Sequence, residues 1–188
     1  MPKVKLFNTD IAINKATELF WEKGYEATSL NDLTEHLGIG KGSFYAAFKS
    51  KKQLFNLCIE KYIETNSPAL EQVLNEEENF KISLQKLLEG YVEEMTNDKK
   101  RKGCFVANSC ALQYAENLNI EEKIQRHYEQ IQEFLISGME KDGIDSGKAR
   151  SLSAMIVTFL IGVSQQSKIN RDKSSYISTI KFIVSLLG

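Results

Sequence analysis

The chain has 188 residues, 42% hydrophobic and 26% charged, a globular balance that excludes disordered, collagen-like and fibrous classes and suffices to bury a core. Its formal net charge of −1 conceals one basic segment. Between His36 and Ile59 there is no Asp or Glu, while Lys41, Lys49, Lys51 and Lys52 all fall there, a local anion-binding signal in a chain that otherwise leans acidic.

Apolar positions recur at three and four rather than two, and only Pro2 and Pro68 interrupt, so the fold class is all-α, with about nine helices. The first helix is expected to be capped by Thr9, to carry Asp10 in its positive first turn, and to run through Ile11, Ala12, Ala16, Leu19 and Phe20 to Gly24. Ser29-Leu30-Asn31-Asp32 resembles a capping box opening a second helix, which buries Leu33 and Leu37 and stops at Gly38. A short third helix covers Lys41 to Phe48. Ser50, with Gln53 three residues on, caps a long fourth helix carrying Leu54, Phe55, Cys58, Ile59 and Tyr62, which Pro68 should end or kink.

Phe80, Leu84, Leu87, Leu88, Tyr91 and Met95 form the stripe of a fifth helix, followed by the basic loop Lys99-Lys100-Arg101-Lys102-Gly103. A sixth helix is read from about Cys104 to Ala115 and a seventh from Ile120 to Lys141, broken by Asp142-Gly143. The last two, from about 148 to 168 and 173 to 187, are apolar nearly all round. A second greasy stripe wants a second surface, which points to homodimerisation through them, with Ser153, Ala154 and Gly162 permitting close approach.

Three cysteines (Cys58, Cys104, Cys110) have no CxxC spacing and lie far in sequence from His36 and His127, so neither a disulfide framework nor a zinc signature is present. The longest greasy segment, Leu152 to Val163, is interrupted and too short for a membrane span. The opening residues show no apolar stretch behind their lysines. The expectation is a cytoplasmic protein with no membrane partner. No nucleophile stands beside a base in a recognisable motif and no Gly-rich phosphate loop follows a strand, so an enzyme is not expected.

Residues Ser29 to Phe48, SLNDLTEHLGIGKGSFYAAF, have the helix-turn-helix layout: a capped helix, a Gly38-Ile39 turn, and a short second helix able to enter a major groove. Leu33, Leu37, Ile39, Phe44 and Ala47 are expected to lock the pair. The exposed positions would be Lys41, Gly42, Ser43, Tyr45 and Ala46, residues suited to phosphate and base-edge contact.

From about Thr9 to Phe55 the chain resembles the DNA-binding domain of TetR-family transcriptional regulators. The Gly24-Tyr25 break before Thr28-Ser29, the Gly38-Ile39 turn, the Gly42-Ser43-Phe44-Tyr45 opening and the Phe48-Lys49-Ser50-Lys51 junction carry the resemblance. Thr34 stands where a small Ala is usual and Phe44 where Leu is common.

The resemblance implies a DNA-binding domain at 1–49 and a helical effector-binding and dimerisation domain at 50–188, with the fourth helix as connector. It implies a homodimer on palindromic double-stranded operator DNA, repressing and released by an unknown small-molecule effector, with no cofactor or metal. Thr28 and Ser29 would hold a phosphate, Lys41, Gly42, Ser43 and Tyr45 would face the groove, and Lys51 would reach phosphate. An effector pocket would draw on Tyr62, Leu88, Tyr91, Met95, Asn108, Tyr128 and Phe159. Cys104, behind a basic loop and at a helix start, is also a candidate pocket residue and an alternative redox or electrophile sensor on the same scaffold. The chain's first arginine is Arg101, so bidentate Arg to guanine contacts are absent from the reading domain, and the operator is expected to be read through lysine, hydroxyls and DNA shape.

Overall fold

The computed structural model describes residues 7–75, 79–110 and 120–188, with the backbone alone at 69–71 and 73–75. Among the described residues it is all-α: α1 (Thr9–Lys23), α2 (Leu30–Leu37), α3 (Lys41–Phe48), α4 (Lys51–Asn75), α5 (Phe80–Asn97), α6 (Phe105–Ser109), α7 (Ile120–Lys141), α8 (Ser146–Gln166) and α9 (Lys173–Ser185).

Local chemistry sets most of these boundaries. Asn8 rather than Thr9 caps α1, its side-chain oxygen accepting the Ile11 N–H at 3.1 Å; Asn is as good a cap as Thr, and the helix gains a residue. Ser29 and Asp32 form a reciprocal capping box: Ser29 Oγ accepts the Asp32 N–H at 3.1 Å while the Asp32 carboxylate accepts the Ser29 N–H at 2.7 Å. Lys23 lies 2.7 Å from the same carboxylate. Gly38 closes α2 at φ 67, a left-handed position where a Cβ is costly, and turns the chain so that the Ile39 N–H reaches the Thr34 carbonyl at 3.0 Å. Asp145 and Asp172 cap α8 and α9, so α8 begins two residues before the expected start.

The expectation that Pro68 ends or kinks α4 is corrected in one respect: the helix continues through it to Asn75. Proline removes one backbone bond, and at this exposed position that loss does not terminate the helix. Of the helix expected from Cys104 to Ala115, α6 accounts for Phe105–Ser109 with Cys104 as its N-cap; residues 111–119 lie outside the described residues.

Two cores result. The first gathers Ala16 and Phe20 of α1, Leu33 of α2, Phe44 and Phe48 of α3, and Leu54, Phe55 and Ile59 of α4, and continues into Phe105 and Val106 of α6 and Ile124 of α7. Edge-on pairs run through it, Phe20 to Phe55 at 5.0 Å and Phe55 to Phe105 at 5.6 Å, each contributing roughly 0.5–1.5 kcal/mol beyond area burial. The second core is built by α5, α7, α8 and α9, and Tyr128 packs against both.

Ser29→Ala is expected to lower stability by about 1 kcal/mol, read as a fall in the denaturant midpoint with unchanged slope. The Lys23 ammonium and the Ser29 hydrogen bonds hold the Asp32 carboxyl well below the usual carboxylate range. Its stabilisation is therefore fully present above the unfolded value of about 4 and is lost as pH falls through the folded value. The stability gap between the protein and Asp32→Asn should narrow on acidification.

Candidate nucleic-acid interface and cavity

At eight residues, α3 is too short to persist alone. It is pinned by Phe44, wholly buried, and Phe48, 1% exposed, which face each other at 5.5 Å. Pinning those two positions forces the opposite face outward. Lys41, Gly42, Tyr45 and Ala46 are exposed and Ser43 is half-buried. Tyr45 stands edge-on to Phe44 and remains 50% exposed, so it is not a core aromatic. No side chain caps the N-terminus of α3, which leaves its first-turn N–H groups directed outward with their positive dipole end.

The flanking residues divide differently. Ser29 is exposed at the start of α2. Thr28 is wholly buried and its hydroxyl donates to the Gly24 carbonyl at 2.6 Å, which holds the turn before α2. The Lys51 ammonium donates to the Tyr25 and Thr28 carbonyls, both at 2.9 Å, and sits 4.2 Å from the Tyr25 ring centroid. Two of its three donors thus clasp that turn to α4. Lys49 takes φ 62 and its ammonium donates to the Ala46 carbonyl at 3.1 Å, closing α3.

A cavity of about 330 Å³ opens between α4, α5, α6, α7 and α8. Tyr62, Tyr91, Met95, Cys104 and Tyr128 line it, as do Asn66, Lys86, Leu87, Glu94, Ala107, His127, Ile131 and Leu160. Leu88, Asn108 and Phe159 do not. Leu88, one residue beyond Leu87 and so turned by about 100°, is wholly buried in the second core, where Phe159 also packs. Asn108 is tied down, donating to the Lys102 carbonyl at 2.7 Å and accepting from Gln165 at 3.1 Å and from Lys168. Leu87, Tyr91 and Glu94 share a face at spacings of four and three, a signal the sequence carried; nothing in the sequence singled out His127 or Leu160.

Burial raises the pKa of Tyr62, Tyr91 and Tyr128, so all three phenols keep their protons and stay donors. Burial likewise favours neutral His127. The Tyr62 hydroxyl contacts the Cys104 sulfur at 3.8 Å, and the Cys110 thiol contacts the Tyr128 hydroxyl at 4.0 Å. Cys58 is wholly buried in the first core and its thiol is pushed up to about 12 by burial. Among the described residues no His, Cys, Asp or Glu group is placed to hold a metal, and no helix is long and apolar enough to cross a membrane.

Comparison with known proteins agrees with this geometry. The sequence pattern of the bacterial regulatory proteins of the tetR family matches residues 12–58, and that of the C-terminal domain of LmrA/YxaF-like transcriptional regulators matches residues 82–178, half of the chain. YezE of Bacillus subtilis (strain 168), named an uncharacterized HTH-type transcriptional regulator, is 27% identical over 158 residues, 82% of this chain and 81% of its own. ComR of Escherichia coli (strain K12), an HTH-type transcriptional repressor, is 36% identical over 56% of this chain; the match spans about half of ComR (51%). The solved structure of a cysteine-substituted form of the TetR family transcriptional regulator CifR, complexed with 26-base-pair double-strand operator DNA, superposes with a TM-score of 0.81 at 26% identity, covering 97% of this chain and 98% of that one.

The thiol environments order the cysteines by reactivity. Brief iodoacetamide treatment followed by peptide mass mapping should modify exposed Cys110 in the native protein and Cys58 only after unfolding; Cys58 labelling under native conditions would contradict the first core as described.

Proposed function

The chain belongs to the TetR family of bacterial transcriptional regulators, and on that premise we propose that it is a cytoplasmic homodimeric repressor that reads a palindromic operator and is released by a small effector. The observation that carries the reading is the face of α3: Phe44 and Phe48 hold the helix from behind while Lys41, Gly42 and Tyr45 stand in solvent. In a dimer, two such helices about 34–36 Å apart would enter successive major grooves on one side of the duplex. Ser29 and Lys41 would hold phosphate, with Ser43 and Tyr45 toward the bases. Thr28 and Lys51 would act by shaping the turn, with one Lys51 donor left toward phosphate. The outward side of α8 and α9, with Phe182 62% exposed beside Leu186, Leu187 and half-buried Phe159, supplies the apolar surface for the second subunit.

The effector would occupy the 330 Å³ cavity. Three protonated phenols on a largely apolar wall favour a small uncharged molecule, flat or aromatic, with an oxygen able to accept a hydrogen bond. Release then follows from population shift, the effector binding the state with misplaced reading heads more tightly than the operator-bound state.

A second reading keeps the scaffold and changes the trigger. Cys104 lines the cavity with a phenol against its sulfur, so the effector could be an electrophile carrying an activated C=C bond, the sulfur adding to one carbon and the thiol proton to the other. The two readings separate cleanly. A reversible effector leaves the intact mass unchanged and still acts on Cys104→Ser; an electrophile adds its own mass and loses its effect in that variant.

The primary test is selection of bound duplexes from random DNA with the purified protein. A palindromic site should emerge, bound by a species sedimenting as a dimer. Lys41→Ala should weaken binding about tenfold across sequences and lower the log–log salt slope by about one. Binding that is insensitive to Lys41→Ala, or a protein that sediments only as a monomer, overturns the reading.

A further inference from the structure

The loop between α5 and α6 is braced more firmly than a connector requires. The Asp98 carboxylate accepts the backbone N–H groups of Lys100 at 2.9 Å and Lys102 at 2.6 Å, and Arg101 holds a left-handed φ of 55. From this rigid turn three groups reach α1 of the reading domain. The Gly103 carbonyl accepts the Trp21 indole N–H at 3.0 Å. The Lys102 ammonium lies 3.9 Å from the Trp21 ring centroid and 2.9 Å from the Glu18 carboxylate, its side chain only 15% exposed. Lys100 pairs with Glu22.

The other side of the loop is seated on α8. Gly103 is buried at φ 67, and a Cβ there would stand 2.6 Å from the Ser164 carbonyl oxygen and 2.7 Å from Lys168 Cε. The left-handed conformation strains any side-chain-bearing residue, and the Ser164 carbonyl leaves no room for a Cβ. The next N–H, of Cys104, donates to the Ser164 hydroxyl at 2.8 Å. Cys104 itself lines the cavity, and Trp21 stands edge-on to Tyr62, on the same cavity wall, at 5.3 Å. One short stretch of backbone, 103–104, therefore touches the cavity, α8 and α1 at once.

We infer that Trp21, Lys102 and Gly103 form a latch that reports the cavity's occupancy directly to α1, beside the route through α4. An occupant pressing on Cys104 and Tyr62 shifts the Gly103–Cys104 peptide, which is held too tightly by Ser164 to absorb the shift. The strain falls on the Trp21 hydrogen bond and on the Lys102 contact with the ring. With the latch open, α1, and α3 joined to it through α2 and α4, lose their fixed angle to the effector half. This inference rests on the effector reading of the cavity and specifies how that cavity is connected.

Trp21 is the chain's single tryptophan, so the latch carries its own reporter. Filling the cavity with one of the protein's own side chains, Ala107→Leu one turn beyond Cys104, stands in for an occupant; Leu87→Phe from the α5 wall serves if that variant does not fold. The filler should red-shift Trp21 emission, raise its quenching by acrylamide, and weaken binding to the selected operator about tenfold. Lys102→Met, which keeps the aliphatic stem, should do the same without a filler, and the double variant should be no more than about twofold weaker than either single one, since both open the same contact. Trp21→Phe is the second latch variant and should show the same non-additivity in operator binding.

Additive losses, or weakened operator binding with unmoved Trp21 emission, overturn the latch and leave the effector cavity standing. A filler that changes neither emission nor operator affinity overturns both.

Discussion

The burial of Phe44 and Phe48 is the constraint from which the proposed reading surface follows. A helix of eight residues has too few internal hydrogen bonds to offset its nucleation cost, so α3 exists as a helix only where its apolar side is covered. Covering that side against α2 and α4, in the core they share with α1, fixes both the axis and the rotation of the helix. The exposure of Lys41, Gly42 and Tyr45 is then a consequence of packing. The Gly38 turn and the Ser29–Asp32 capping box serve the same end by fixing the angle at which α2 meets α3.

That seat is continuous with the rest of the protein. Phe20, Phe55 and Phe105 form an unbroken edge-on series from α1 through α4 to α6, and Trp21, Tyr62 and Phe105 form a second one beside it. Through Trp21, α1 is thus packed against Tyr62, which walls the cavity. Interiors of this density repack between discrete arrangements and resist gradual deformation, the property on which the proposed latch between Tyr62 and α1 relies. Phe105 occupies the join, wholly inside the first core although its helix belongs to the C-terminal half.

Much of this was legible in the sequence where one residue type serves one local purpose. Ser29, Asp32, Gly38 and Ser50 set their boundaries by short-range hydrogen bonds or backbone conformation, and α3 and α7 begin and end where the pattern placed them. What the sequence did not disclose depends on contacts between distant residues. Thr28 and Lys51 read as phosphate ligands because hydroxyls and ammonium groups at helix starts serve that role, but the fold turns the first inward and spends two Lys51 donors on the Tyr25 and Thr28 carbonyls. A stripe at helical spacing could not tell Leu87 from Leu88, since a hundred degrees of rotation decides which faces the cavity and which the core. The contact between Lys102 and Trp21 spans 81 residues and left no local trace.

Amide hydrogen exchange, measured by peptide mass in the free protein and with a selected operator duplex, tests at once whether α3 is seated from behind and read from the front. Residues 41–48 should exchange slowly in the free protein, as a packed helix does, and slower still when operator is added, with residues at the start of α2 following. Exchange at unfolded rates over α3 in the free protein, or operator protection that falls elsewhere and leaves residues 41–46 unchanged, would contradict it.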